Sequence, residues 1–180
     1  MSIIHRIRLY HAVLVVLVVI SYLSGEWGLI HSWLGYGVAA VIAMRLIAAL
    51  SGVPQLGLSR FYPDFAGLDF TRAFSHPAIS KTLLFGIAVT LIGATVTGIA
   101  LDKGDALGIA GLGLATALAD DDEDDDNDGK DGNEFMEEAH EILSDLLILI
   151  AVLHIAYVWS FKRPLARFMA FLDPGKRAKP

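Results

Sequence analysis

Four apolar stretches of the chain approach or exceed the length needed to cross a bilayer, and the polar residues between them fall into three unequal gaps. The first stretch, Leu9 to Leu23, ends in the short turn Ser24-Gly25-Glu26. The second runs from Leu29 to Leu50. A polar stretch over 51–80 follows, with Pro54, Pro63 and Pro77 as helix breakers. The third apolar stretch is Thr82 to Leu101, and the fourth is Met136 to Phe161. A helix needs about 20 mostly apolar residues to cross a hydrocarbon core roughly 30 Å thick. The pattern predicts an all-α, integral membrane four-helix bundle. Its helices are expected at about 9–23, 29–50, 82–101 and 136–161, in a single domain spanning 1–180.

Composition agrees. Of 180 residues, 54% are hydrophobic, and the mean hydropathy of +0.55 is too high for an ordinary soluble domain. There is no cysteine, which excludes disulfides, thiolate metal sites, iron–sulfur clusters and c-type haem attachment in this chain. The N-terminus has the charged start and apolar run of a signal peptide. The run is long, no small-x-small cleavage site follows it, and it holds His11, so a retained helix is expected.

The net charge of −6 conceals an asymmetry. Lysines and arginines gather at the N-terminus, in the 51–80 loop and at the C-terminus. The other two gaps hold only Lys103 and Lys130. The positive-inside rule then puts both termini in the cytoplasm, and the acidic insertion 102–135, between the third and fourth helices, in the periplasm.

This topology sorts the histidines by depth. His11 begins the first helix and lies near the cytoplasmic face, and His31 begins the second and lies near the outer face. The fourth helix carries His140 outside and His154 inside, fourteen residues apart. Fourteen steps of 100° return to within about 40° of the same face, about 21 Å along the axis. Two pairs are expected: His11 with His154, and His31 with His140. Two facing imidazoles in an apolar bundle are what a b-type haem needs, since its iron takes two axial nitrogens and packing holds the porphyrin. Two pairs imply two haems stacked across the membrane. The bland alternative is core histidines bonded to carbonyls. A zinc site at His140 with Glu137, Glu138 and Glu141 is another, although zinc prefers four ligands.

Several residues are secondary candidates. Arg45, at the inner end of the second helix, is placed to pair a propionate of the inner haem. Ser32, Trp33 and Tyr36 border the outer one. His76, before Pro77, is a candidate contact for a propionate or a quinone, or a solvated loop residue. His5 is expected at the interface. Gly86, Gly93 and Gly98, with Thr90, Thr95 and Thr97, suit tight helix packing.

Four segments carry a family resemblance: RLYHAVLVVLVVISYLSGE, HSWLGYGVAAVIAMRLI, SHPAIS and EEAHEILSDLLILIAVLHIAYV. Together they resemble the prokaryotic cytochrome b561 family, which includes the b-type cytochrome subunits of nickel–iron hydrogenases. The resemblance covers the four helices. It implies a di-haem membrane cytochrome exchanging electrons between periplasmic partners and the quinone pool, with His11, His31, His140 and His154 as axial ligands. Where the family commonly has Gly-His-Asn-Pro, this chain has Ser75-His76-Pro77-Ala78. The acidic insertion is a further departure.

Asp120 to Asp126 is a run of seven acids. Such charge density cannot pack, so a solvated tether is the simplest reading. A second is docking of a basic soluble electron carrier, such as a c-type cytochrome. A third is calcium: Asp124, Asp126 and Asp128, followed by Gly129, match the start of an EF-hand loop, but Phe135 occupies the position that needs a glutamate. The expected function is transmembrane electron transfer by two b-type haems between a periplasmic redox partner and membrane quinone. The expected place is the bacterial inner membrane, as a multi-pass protein embedded in lipid, with no nucleic-acid partner. The alternatives are a superoxide:quinone oxidoreductase, against which the negative outer field argues, and a non-redox membrane anchor with a calcium-responsive loop.

Overall fold

The computed structural model describes residues 3–50, 77–108 and 128–172. Its helices are α1 (Ile3–Leu23), α2 (Leu29–Leu50), α3 (Pro77–Asp102), α4 (Asp128–Phe161) and α5 (Arg163–Met169). The first four are each long and apolar enough to cross a membrane. Three of them start earlier in the chain, or extend further, than the apolar pattern alone suggests. α1 begins at Ile3 rather than near Leu9, because Arg6 and Arg8 are good helix formers at a membrane-facing end. α3 begins at Pro77 rather than near Thr82. Proline suits the first turn of a helix, where its missing N–H has no partner to lose. α4 begins at Asp128, inside the stretch expected to be loop, and acidic residues favour the positive end of a helix dipole.

Contacts between α3 and α4 fix their direction. A Cβ on Gly86 would meet Ile150, one on Gly93 would meet Leu143, and one on Gly98 would meet His140. As residue numbers rise on one helix they fall on the other, so the two are antiparallel. α1 and α2 are antiparallel too: Tyr10 Oη donates to Val41 O at 2.9 Å, and His31 Nδ1 lies 3.0 Å from Ser21 O. Their connection is tight. Ser24 is fully buried, Trp27 N donates to Ser24 O at 2.8 Å, and Gly28 takes φ +51°. α2 packs on α3, and α5 folds back on α4.

α3 against α4 is the most extensive contact in the bundle, and the three glycines are its reason, since small residues let helix backbones approach. By contrast, α4 has no comparable contact with α1 or α2, the helices that carry the partner histidines. At mid-depth Val38, Leu91 and Leu147 form a buried layer, packed by Leu14, Leu17, Val18, Ile42 and Ile87. This layer lies between the level of His31 and His140 and the level of His11 and His154. Outside it, leucine, isoleucine and valine side chains are exposed on all four helices, as a lipid-facing surface requires.

The two ends of the bundle differ in charge. The end bearing the start of α1 and the helix α5 holds Arg6, Arg8, Arg45, Lys81, Lys162, Arg163 and Arg167, and no Asp or Glu among the described residues. The opposite end holds Glu26, Asp102, Asp105 and the acids of early α4, against Lys103 and Lys130. They are called the basic end and the acidic end below.

Candidate functional site: two histidine levels

At the acidic end, His31 on α2 and His140 on α4 face each other. Their ring centres are 6.0 Å apart and their planes cross at 82°. Two metal–imidazole bonds of about 2 Å each fit that separation once the reach from each ring centre to its nitrogen is added. Each ring is held by its other nitrogen. His140 Nδ1 lies 2.9 Å from Ala94 O, and His31 Nδ1 lies 3.0 Å from Ser21 O. A carbonyl only accepts, so in both rings Nδ1 carries the hydrogen and donates it. In a neutral ring this leaves Nε2 with its lone pair, the form that ligates a metal. Thr97 Oγ1 is a further 3.1 Å neighbour of His140 Nδ1, and Ser24 Oγ stands 3.5 Å from His31 Nδ1.

Room for a flat cofactor exists at this level. A cavity of about 550 Å³ lies between α1, α2, α3 and α4, with both histidines in its wall. That volume falls within the roughly 300–1,000 Å³ of small-molecule and cofactor sites. Gly98 also lines it. A Cβ there would stand 2.9 Å from His140 Cε1, closer than a side chain tolerates, so the glycine is what lets the imidazole sit where it does. Glu26, Asp102, Glu137, Glu141 and Asp145 line the cavity as well, and among the described residues no lysine or arginine does. Tyr36 Oη donates to Asp102 Oδ2 at 2.8 Å, and Tyr22 Oη donates to Asp145 Oδ1 at 2.9 Å, joining α1 to α4 across the mouth.

At the basic end, His154 on α4 lies within electrostatic range of His11 on α1. His154 Nδ1 is buried and has no hydrogen-bond partner among the described residues. A buried, unpartnered ring nitrogen in an apolar bundle costs free energy unless something satisfies it. Among the described residues each level offers a pair of imidazoles, which suits a haem iron with four porphyrin nitrogens of its own. Among the described residues no group of three or more histidine, aspartate or glutamate side chains is arranged to hold a metal ion, so the zinc reading at His140 gains no support.

Other candidates are distributed unevenly. Arg45 lies beside Tyr10, near the His11 level. Ser32 and Tyr36 line the acidic-end cavity, whereas Trp33 is exposed. His5 packs edge-on to Phe168, with ring centres 6.0 Å apart. Asp128 is the first residue of α4. His76, Asp124 and Asp126 lie outside the described residues. Sequence reasoning did not identify the carbonyls of Ser21 and Ala94, which no side-chain pattern encodes. It treated Gly98 as general packing, although a glycine one turn from the end of α3 stands at the depth of His140. Arg8 is one of the basic residues that gather at the N-terminus. It is 8% exposed, with its guanidinium carbon 3.5 Å from the centre of the Phe171 ring and 4.8 Å from that of Phe168.

Comparison with known families matches residues 5–169 to prokaryotic cytochrome b561. No curated protein and no solved structure matches the chain. The family match spans all five helices and both histidine levels. This chain therefore belongs to the prokaryotic cytochrome b561 family, multi-pass membrane proteins that carry electrons through b-type haem.

Proposed function

We propose that the protein is a di-haem cytochrome, with one haem held by His31 and His140 and the other by His11 and His154. It moves electrons between a soluble periplasmic carrier at the acidic end and membrane quinone. In this reading the basic end faces the cytoplasm, by the positive-inside rule. The observation that carries it is the pairing itself. Each pair joins α4 to a helix with which its contact is far less extensive than with α3, at two depths separated by an apolar layer.

A bound haem supplies a one-electron couple at its iron, and the protein supplies everything around it. His31 and His140 present Nε2 because Ser21 O and Ala94 O hold Nδ1–H. Gly98 gives His140 its place. Val38, Leu91 and Leu147 keep water out of the space between the levels. The carboxylates around the acidic-end cavity favour a basic partner such as a c-type cytochrome, and they disfavour superoxide, an anion. Arg45 is a candidate propionate contact beside the His11 level. A calcium role for Asp124, Asp126 and Asp128, and a propionate or quinone contact at His76, remain proposals that rest on the sequence alone.

The pairing is tested by substitution. His11→Ala and His154→Ala should each remove the same haem and spare the other, and His31→Ala and His140→Ala should remove the second. Should His11→Ala empty the haem that His140→Ala empties, the assignment of levels is wrong.

A further inference from the structure

Three buried side-chain polar atoms have no hydrogen-bond partner among the described residues: Arg8 Nε, His154 Nδ1 and Tyr157 Oη. All three lie toward the basic end. Arg8 stands three residues before His11 on α1, and Tyr157 stands three residues after His154 on α4. The two helices run in opposite directions, so both displacements point the same way. Each amounts to about one helical turn, roughly 4.5 Å, beyond the histidine level toward the basic end. Arg8 is 8% exposed and Tyr157 is 7% exposed.

A buried guanidinium N–H without an acceptor, as at Arg8 Nε, is costly, because its hydration has been removed and nothing replaces it. Phe168 and Phe171 cover its faces and supply some cation–π attraction, but they accept nothing from its N–H groups. Lys162 adds positive charge near Tyr157, with Nζ 5.8 Å from that ring centre, and no carboxylate occurs at this end among the described residues. The region is therefore positive, partly dry and supplied with unused donors. A carboxylate is the ligand it fits.

We propose that Arg8 and Tyr157 form the carboxylate-binding site for the haem of the His11–His154 level, with Arg8 as the ionic partner and Tyr157 as a hydrogen-bond donor. This rests on the di-haem reading above. It adds Arg8 to Arg45, which the sequence singles out for that role, and it gives the aromatic clamp a purpose. Phe168 and Phe171 lie on the guanidinium, and replacing one of them leaves its charge in place.

The test is a potentiometric titration, followed optically, of the haem-loaded full-length protein and of Arg8→Gln, Arg8→Lys, Tyr157→Phe and Phe171→Leu. The haem of this level is identified as the one absent from His154→Ala. Without Arg8, an unneutralised carboxylate remains beside the iron and disfavours the added electron. Arg8→Gln should therefore lower the reduction equilibrium of that haem about tenfold relative to the other, the scale of one charge-assisted hydrogen bond. Arg8→Lys should restore most of the loss, Tyr157→Phe should move it less in the same direction, and Phe171→Leu should leave it nearly in place. If Arg8→Gln moves neither haem, or changes only the anionic lipid that co-purifies, the proposal is overturned. If Phe171→Leu shifts the equilibrium as far as Arg8→Gln, the arginine acts only by docking α5, and the proposal again fails. If Arg8→Gln loses the haem altogether, Arg8→Lys decides: retention with a near-normal equilibrium supports the site, and equal loss overturns it. A protein whose haem content is untouched by His11→Ala and His154→Ala would instead remove the di-haem reading.

Discussion

Gly98 and His140 are fitted to each other: a Cβ on the glycine would stand 2.9 Å from Cε1 of the imidazole. The ring cannot retreat cheaply, because Ala94 O holds its Nδ1 at 2.9 Å. Gly98→Ala is expected to cost about 1–3 kcal/mol as an overpacking change. Its haem content should fall from two per chain toward one, with loss confined to the His31–His140 level. Gly86→Ala is the control. Its Cβ would meet only the Ile150 side chain, at 3.3 Å from Cδ1 and 3.6 Å from Cγ2, and both haems should stay. Haem and protein quantification on the purified variants checks both outcomes.

Tyr36 and Asp102 tie α2 to α3 beside the same cavity, at 2.8 Å. Asp102 Oδ2 also accepts from Ala106 N at 3.2 Å, which closes the turn after α3. The pair is half-exposed, so solvent screens it. Tyr36→Phe is expected to lower stability by no more than about 1 kcal/mol and to leave the haem bands unchanged. Thermal unfolding in detergent, followed by the haem absorption, measures this.

The charge difference between the ends should appear in the haem potentials. Five carboxylates line the cavity of His31 and His140, while Lys162 acts on His154 and Arg8 and Arg45 stand at the same basic end. Negative charge disfavours an added electron and positive charge favours it. Two one-electron waves are expected, and the lower one should be the wave missing from His140→Ala. If the missing wave is the upper, these charges do not set the order.

Reduction by a basic c-type cytochrome should slow steeply with salt. The screening length shortens from about 30 Å at 0.01 M ionic strength to about 8 Å at 0.15 M. A rate loss of about tenfold or more over that range is expected, because steered encounters fall steeply with ionic strength. Combining Glu26→Gln, Glu137→Gln and Asp145→Asn should slow the low-salt rate and flatten the dependence. Stopped-flow reduction at several salt concentrations gives the answer.

The depth pairing was legible in the sequence because helix rise and charge asymmetry are both written in residue order. His31 and His140 are far apart in the chain, and those two rules bring them to one level before any contact is known. The starts of α3 and α4 were less legible. Pro77 reads as a breaker when it is in fact a first-turn residue, and the Asp-Gly stretch before Phe135 reads as loop when its charge suits a helix N-terminus. The carbonyls of Ser21 and Ala94 and the burial of Arg8 depend on how helices rotate against each other. One residue's identity does not encode that rotation. The nearest signals were a glycine at the depth of a histidine and an arginine one turn before another.

The most direct measurement is a reduced-minus-oxidised optical spectrum of the detergent-purified protein, with haem and protein quantified on the same sample. Two b-type haems per chain, both with the spectrum of paired axial histidines, is the expected result. One haem per chain would leave one histidine level without its assigned cofactor, and none, after expression with ample haem, would contradict the electron-transfer account.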